Sequence, residues 1–430
     1  MYAAASRHHS SIGIRAAAGE TRLPWYREVT PDAWRSLLAA GLGWLFEVFD
    51  LYILALTTPA LIVVFELSRA DAGLITSVSA TGAILGGILF GWVADRIGRV
   101  RTLHLTILVY SVFTGAIVFA NSLNALLALR LLGGLGMGGA WTAGASLVAE
   151  SWHPQHRGKG GALMQMGLPL GSMLAIAVVA GISALADGLE AGAWRWVYAA
   201  GGLPIVVIWL VAWRTPESPV WLRRSGDKAA PAGIRELFRG GTGRGLLIAF
   251  AFIFFVQYIY WAVFSWTPTF LVAVKHLDFV KSLGFTLIQQ IGSLAGFLVF
   301  AALVDRLGRR PTFALFLLIG AAAIAVFALA SSPGFLLAAS FFTGFGIGGI
   351  FAGMGPFTAE LIRSTRSRAL GMAIAYNGGR VGGLIAPYLI GLLATSEQGF
   401  QAGMLTTTLA FVLAIIVLLF APETKGVSIE

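Results

Sequence analysis

Apolar residues fall in runs too long and too frequent for a soluble core. Twelve such stretches recur, near 37–62, 72–92, 103–120, 126–149, 160–181, 195–213, 246–271, 283–303, 312–330, 335–357, 369–390 and 400–420. As a helix, each is long enough to cross about 30 Å of hydrocarbon. The pattern therefore predicts an all-α membrane protein with twelve spanning helices. Polar residues gather in short connections, and the one long connection is 214–245.

Composition agrees. The 430 residues are 57% apolar and only 12% charged, whereas soluble chains carry about a quarter charged residues. The absence of cysteine excludes disulfides and thiolate metal sites. No metal cluster, cofactor site or nucleophile–histidine pair is legible, so an enzyme is not expected. The first 36 residues are polar and broken, and the first span is expected to be an uncleaved anchor.

A net charge of +10 could signal nucleic acid, but its distribution argues otherwise. Segments on one predicted side hold 24 of the 30 Lys and Arg, and the other side holds Arg69, Arg195, Lys275 and Lys281. This positive-inside bias predicts a multi-pass inner-membrane protein with both termini cytoplasmic. No element that could read a nucleic-acid groove is present. A monomer in the lipid bilayer is expected.

The chain also repeats itself. Asp95-Arg96-Ile97-Gly98-Arg99 recurs as Asp305-Arg306-Leu307-Gly308-Arg309. Glu150 recurs as Glu360 at the same offset, beside Arg157 and Arg363 respectively. The repeat predicts two parallel six-helix bundles, 37–213 and 246–421, with tails at 1–36 and 422–430 and a cytoplasmic linker at 214–245. Two such bundles around a shared midplane site suit alternating access. In each loop Gly98 or Gly308 permits the turn. Asp95 can cap a helix start and attract the opposite bundle's basic groups. Arg99 and Arg309 can bridge to the carboxylates. Such pairs would form when the inner side closes and break when it opens. Alternatively, these charges only fix topology.

Four charges lie well inside spans: Glu47, Asp50, Arg130 and Arg380. Each costs roughly 2.5–3.5 kcal/mol at a helix centre, so each faces a wet cavity or pairs with another. Glu47 and Asp50 share a face of span 1. Asp50 sits about 20 Å above the inner end and Arg130 about 8 Å below the outer end, at similar depth. An Asp50–Arg130 pair that separates between states could take up and release a proton. Arg380 has no acidic neighbour in its own bundle, and its fork matches a carboxylate. It could instead pair with Glu47 or Asp50. Tyr376, Asn377, Gln165, Gln257, Tyr258, Trp261, Gln289 and Gln290 are the candidate cavity residues around it.

The Gly91–Arg101 loop and its second copy resemble the signature of the major facilitator superfamily. Phe49-Asp50 with Arg130 and the glycines after it resembles the proton-coupling pair of proton-linked sugar porters. Leu23-Pro24-Trp25-Tyr26-Arg27, Trp34-Arg35, the Phe46–Leu51 turn and Glu150-Ser151-Trp152 with Arg157 resemble the sialate:proton symporters. That family and its aromatic-acid neighbours move carboxylates. The resemblance implies proton-coupled uptake of a small monocarboxylate, sialic acid or aromatic acid. Glu47 stands where an Asp is common. Span 7 keeps only Gln257 of the glutamine-rich motif of sugar porters, which argues against a hexose. A sugar or polyol symporter and a drug effluxer remain the alternatives.

Overall fold

A computed structural model describes residues 25–153, 156–186, 188–206, 214–224, 242–362 and 368–424. Among these residues the chain is helical and contains no strand. In chain order the helices are α1 (Trp25–Glu28), α2 (Pro31–Val64), α3 (Arg69–Ile97), α4 (Arg99–Ala116), α5 (Leu123–Ser151), α6 (Arg157–Gln165), α7 (Gly167–Leu185) and α8 (Trp194–Gly201). There follow α9 (Pro219–Arg224), α10 (Thr242–Ala273), α11 (Phe279–Leu307), α12 (Arg309–Leu329), α13 (Pro333–Leu361), α14 (Arg368–Gly379), α15 (Val381–Leu393) and α16 (Glu397–Leu419).

Ten spans among the described residues are long and apolar enough to cross a membrane. The other two of the twelve expected have local explanations. The expected span 6, 195–213, falls partly outside the described residues, which include α8 and stop at 206. Span 11 is interrupted at Arg380, which splits it into α14 and α15. The backbone there still carries bonds from Arg380 N to Tyr376 O and from Leu384 N to Arg380 O, so helical hydrogen bonding runs on through the interruption. Most of linker 214–245, both far tails, and Arg363 and Arg366 also fall outside the described residues.

Glycine seams draw the helices together. A Cβ on Gly138 of α5 would collide with the Ala83 carbonyl of α3. The second half repeats the device, with Gly348 of α13 against the Ser293 carbonyl of α11. Small residues at four-residue spacing let backbones touch, the main packing resource where lipid supplies no hydrophobic drive between helices.

Among the described residues, side-chain bonds between the halves gather toward the end opposite the signature loops. There Arg69 donates to Ala394 O at 2.6 Å and Ser77 to Leu384 O at 2.7 Å. Gln290 of α11 donates to the Tyr52 hydroxyl of α2 at 2.6 Å, and Ser172 of α7 bonds Gln290 at 3.0 Å. Tyr52 also meets the edge of Phe264 at 4.3 Å.

Candidate functional site

Span 1 carries two carboxylates into two different environments. Asp50 and Arg130 are buried inside the first half, 0% and 1% exposed, and Arg130 Nη1 donates to Asp50 Oδ2 at 3.0 Å. The Arg130 guanidinium lies 5.2 Å from the Tyr198 ring. The Tyr198 hydroxyl bonds Thr57 at 2.9 Å, tying α8 to α2 behind the pair. Glu47, one turn earlier, lines a small cavity between the halves.

That cavity, about 40 Å³, is walled by Trp44, Glu47 and Leu51 of α2, by Gln257, Tyr260 and Trp261 of α10, and by Tyr376 and Arg380 of span 11. Arg380 is half-buried, its Nη1 3.4 Å from Ala83 O of the opposite half and its guanidinium 5.1 Å from the Tyr376 ring. It faces the same cavity as Glu47, which comes from the other half. The acidic neighbour that Arg380 lacks in its own half is thus supplied by the other half. A guanidinium and a carboxylate facing one cavity across the molecular seam can take an anion on the first and a proton on the second.

Aromatic rings close one side of this cavity. Tyr376 stacks on Trp141 of α5 across the seam, centroids 4.6 Å apart at 11°. Trp141 Nε1 donates to Gln165 Oε1 at 3.3 Å. Gln165 thus props up the ring and does not wall the cavity. Tyr258 points into its own half and bonds Thr406 at 2.7 Å. Tyr260, two residues on and so about 200° around the helix, takes the cavity position. Gln289 and Gln290 belong to a separate, smaller cavity beside Tyr52. Asn377 sits against Gly87 of α3. Sequence reading missed Trp44, Trp141 and Tyr260. Trp44 could have been found, since it is three residues before Glu47 on the same face. Trp141 looks like any membrane aromatic.

At the signature loops, Arg99 bonds Glu150 through Nε and Nη2, both at 3.1 Å, and Asp95 through Nη1 at 2.8 Å. Arg309 repeats this on Glu360, with Nη2 at 3.1 Å. These pairs lie within one half each. The expectation that Asp95 caps a helix start is corrected. Only Gly98 separates α3 from α4, so Asp95 remains inside α3, and Gly98 turns at φ +103°. Glu217 caps α4 instead, accepting from Arg99 N at 2.9 Å and Val100 N at 3.1 Å. Glu423 does the same for α12, accepting from Arg309 N at 2.9 Å and Arg310 N at 3.0 Å. Ser218 and Thr424 then bond Glu150 and Glu360. Arg96 lies over the Trp92 ring at 3.5 Å, and Arg306 is exposed. The side chains of Arg157, Asp305 and Arg368 lie outside the described set.

Comparison with known proteins fits this architecture. A sequence profile of the Major Facilitator Superfamily matches residues 40–289 and 282–429. The chain belongs to that superfamily and is a multi-pass membrane transporter, not an enzyme. It is 31% identical over 408 residues to a protein of Cupriavidus pinatubonensis described as a probable 4-methylmuconolactone transporter, covering 94% of each chain. It is 30% identical to the niacin transporter of Acinetobacter baylyi, covering 92% of this chain and 95% of that one. Among solved structures it resembles the partially occluded, inward-open xylose transporter XylE of Escherichia coli. The TM-score is 0.77 at 23% identity, over 93% of this chain and 100% of that one.

Proposed function

We propose that this protein carries a small organic carboxylate across the inner membrane together with a proton, by alternating access between the two halves. The observation that carries this reading is the meeting of Arg380 and Glu47, from opposite halves, at one aromatic-walled cavity. The substrate carboxylate takes the Arg380 fork, in charge-assisted hydrogen bonds. Glu47 then loses its cation in a dry site and takes up a proton, because desolvation disfavours an unpaired charge. Anion and proton thus cross together without net charge. Arg130 holds Asp50 in reserve behind the cavity as the second proton acceptor. The two relatives support an acid as cargo, since one is named for niacin and the other for 4-methylmuconolactone.

The signature loops lie on the cytoplasmic side, with both termini. The opposite, outer end is the closed one in this conformation. The Arg99–Glu150 and Arg309–Glu360 clusters stiffen the cytoplasmic ends of each half and form the inner gate with the loops. The protein works as a monomer.

Binding separates the carboxylate reading from a sugar reading. Purified protein, monitored through its cavity tryptophans, should bind nicotinate well above nicotinamide. Arg380→Ala should abolish that preference, whereas equal binding of acid and amide by the unaltered protein would refute the role of Arg380. Binding of xylose in place of either would favour the sugar reading.

A further inference from the structure

Asp50 has no route to the cavity through its own bonds, because Arg130 holds one carboxylate oxygen and protein surrounds the rest. A proton acceptor walled off in this way needs a donor path. We propose that the Tyr110 hydroxyl, with Ser111 and Thr114 beside it, is the relay that passes a proton between Glu47 at the cavity and Asp50 behind it. This rests on the proton-coupled reading above and names the residue that links its two carboxylates.

Three observations converge on Tyr110. It is fully buried, yet its hydroxyl has no hydrogen-bond partner among the described residues. It stands on α4 between Ile107, which faces Gly43 of α2, and Thr114, which meets Ile53 of α2 at Gly201, and so lies opposite the turn that carries Glu47 and Asp50. The atoms that would complete a chain are also unpartnered: Glu47 Oε2, Asp50 Oδ1, Ser111 Oγ and Thr114 Oγ1, all buried. Native proteins leave few buried polar groups unbonded, and such groups cluster where a proton or water is handled. The α4 backbone at Tyr110 is seated against α5, because a Cβ on Gly136 would come 2.5 Å from Tyr110 N. Tyr110 and Thr114 share one face of α4.

The step balances. A proton leaves the Glu47 carboxyl for the phenol oxygen while the phenol's own proton moves to Asp50 Oδ1, directly or across one water. One O–H bond breaks and one forms at Tyr110, and no charge remains there. The titratable and charged groups around the relay are Glu47 and Asp50 from α2, Arg130 from α5, Tyr198 from α8 and, across the cavity, Arg380. Arg130 bonds one oxygen of Asp50, and substrate at Arg380 changes the charge that Glu47 faces across the cavity.

The test compares gradient-driven uptake of labelled nicotinate with nicotinate–nicotinate exchange in proteoliposomes. Tyr110→Phe keeps the ring and removes the hydroxyl. It should lower the ratio of uptake to exchange at least tenfold and raise the H₂O/D₂O rate ratio of the residual uptake. Thr114→Val, which leaves the tyrosine intact, should lower the ratio by a smaller factor and serves as the deciding variant if Tyr110→Phe fails to bind nicotinate. An unchanged ratio in a variant that binds nicotinate overturns the relay. Loss of gradient dependence in the unaltered protein would instead overturn the proton-coupled reading itself.

Discussion

Glu47 and Asp50 show how one turn of helix separates two roles. Asp50 bonds a guanidinium of its own half, and Glu47 faces one from the other half across a cavity. The first relation was legible in the sequence, because Asp50 and Arg130 lie at similar depth. The second was not, since the sequence gives no register between the halves. The same gap explains the cavity wall. Gln257 and Trp261 share a face with Tyr260, but nothing along the chain says which face of α10 turns inward. If the roles are as proposed, Asp50→Asn should abolish gradient-driven accumulation of nicotinate in proteoliposomes, and normal accumulation would refute it. Arg380→Ala should weaken nicotinate binding about tenfold to a hundredfold, the scale of one charged hydrogen bond at roughly 1.5–3 kcal/mol. Titration of tryptophan fluorescence reads that loss directly.

Helices here are positioned by what they lack as much as by what they carry. The glycine seams were visible as four-residue spacings, and the structure has them where backbones touch. The caps were not visible. Glu217 reaches the start of α4 from 118 residues away along the chain, and no local pattern announces such a bond. Replacing Glu217 by Ala should leave two α4 amides without an acceptor and loosen the adjacent Arg99–Glu150 cluster. An N-cap loss costs about 0.5–2 kcal/mol, which a lowered melting temperature in detergent would report. Gly73 of α3 makes a sharper test of the seam between halves. A Cβ there meets the Pro387 carbonyl of α15, on the end where the halves interlock. Gly73→Trp should wedge that end open. The chain contains no cysteine, so a single cysteine at Leu51 reports cavity access without background. Its labelling by an impermeant maleimide from the outside should rise severalfold in the Gly73→Trp protein. Unchanged labelling would mean that α3 and α15 do not form the outer closure.

Across the whole molecule, the duplicated elements and the unduplicated ones have separate jobs. The repeated loops, their arginine–glutamate clusters and the capping Glu217 and Glu423 build the same scaffold twice. Glu47, Asp50, Arg130 and Arg380 break the repeat and sit at or behind the seam. The scaffold was therefore readable from one chain, since a repeat carries its own internal comparison. The cargo was not, because cavity shape depends on how the halves meet. The most direct test of proton-coupled carboxylate transport is accumulation of labelled nicotinate in proteoliposomes under an imposed pH gradient, corrected for protein-free liposomes. With one proton per anion, a one-unit gradient, acid outside, should drive accumulation toward a limit of about tenfold, because each tenfold ratio corresponds to about 1.4 kcal/mol. Equal nicotinate inside and outside, whatever the gradient, would contradict the account.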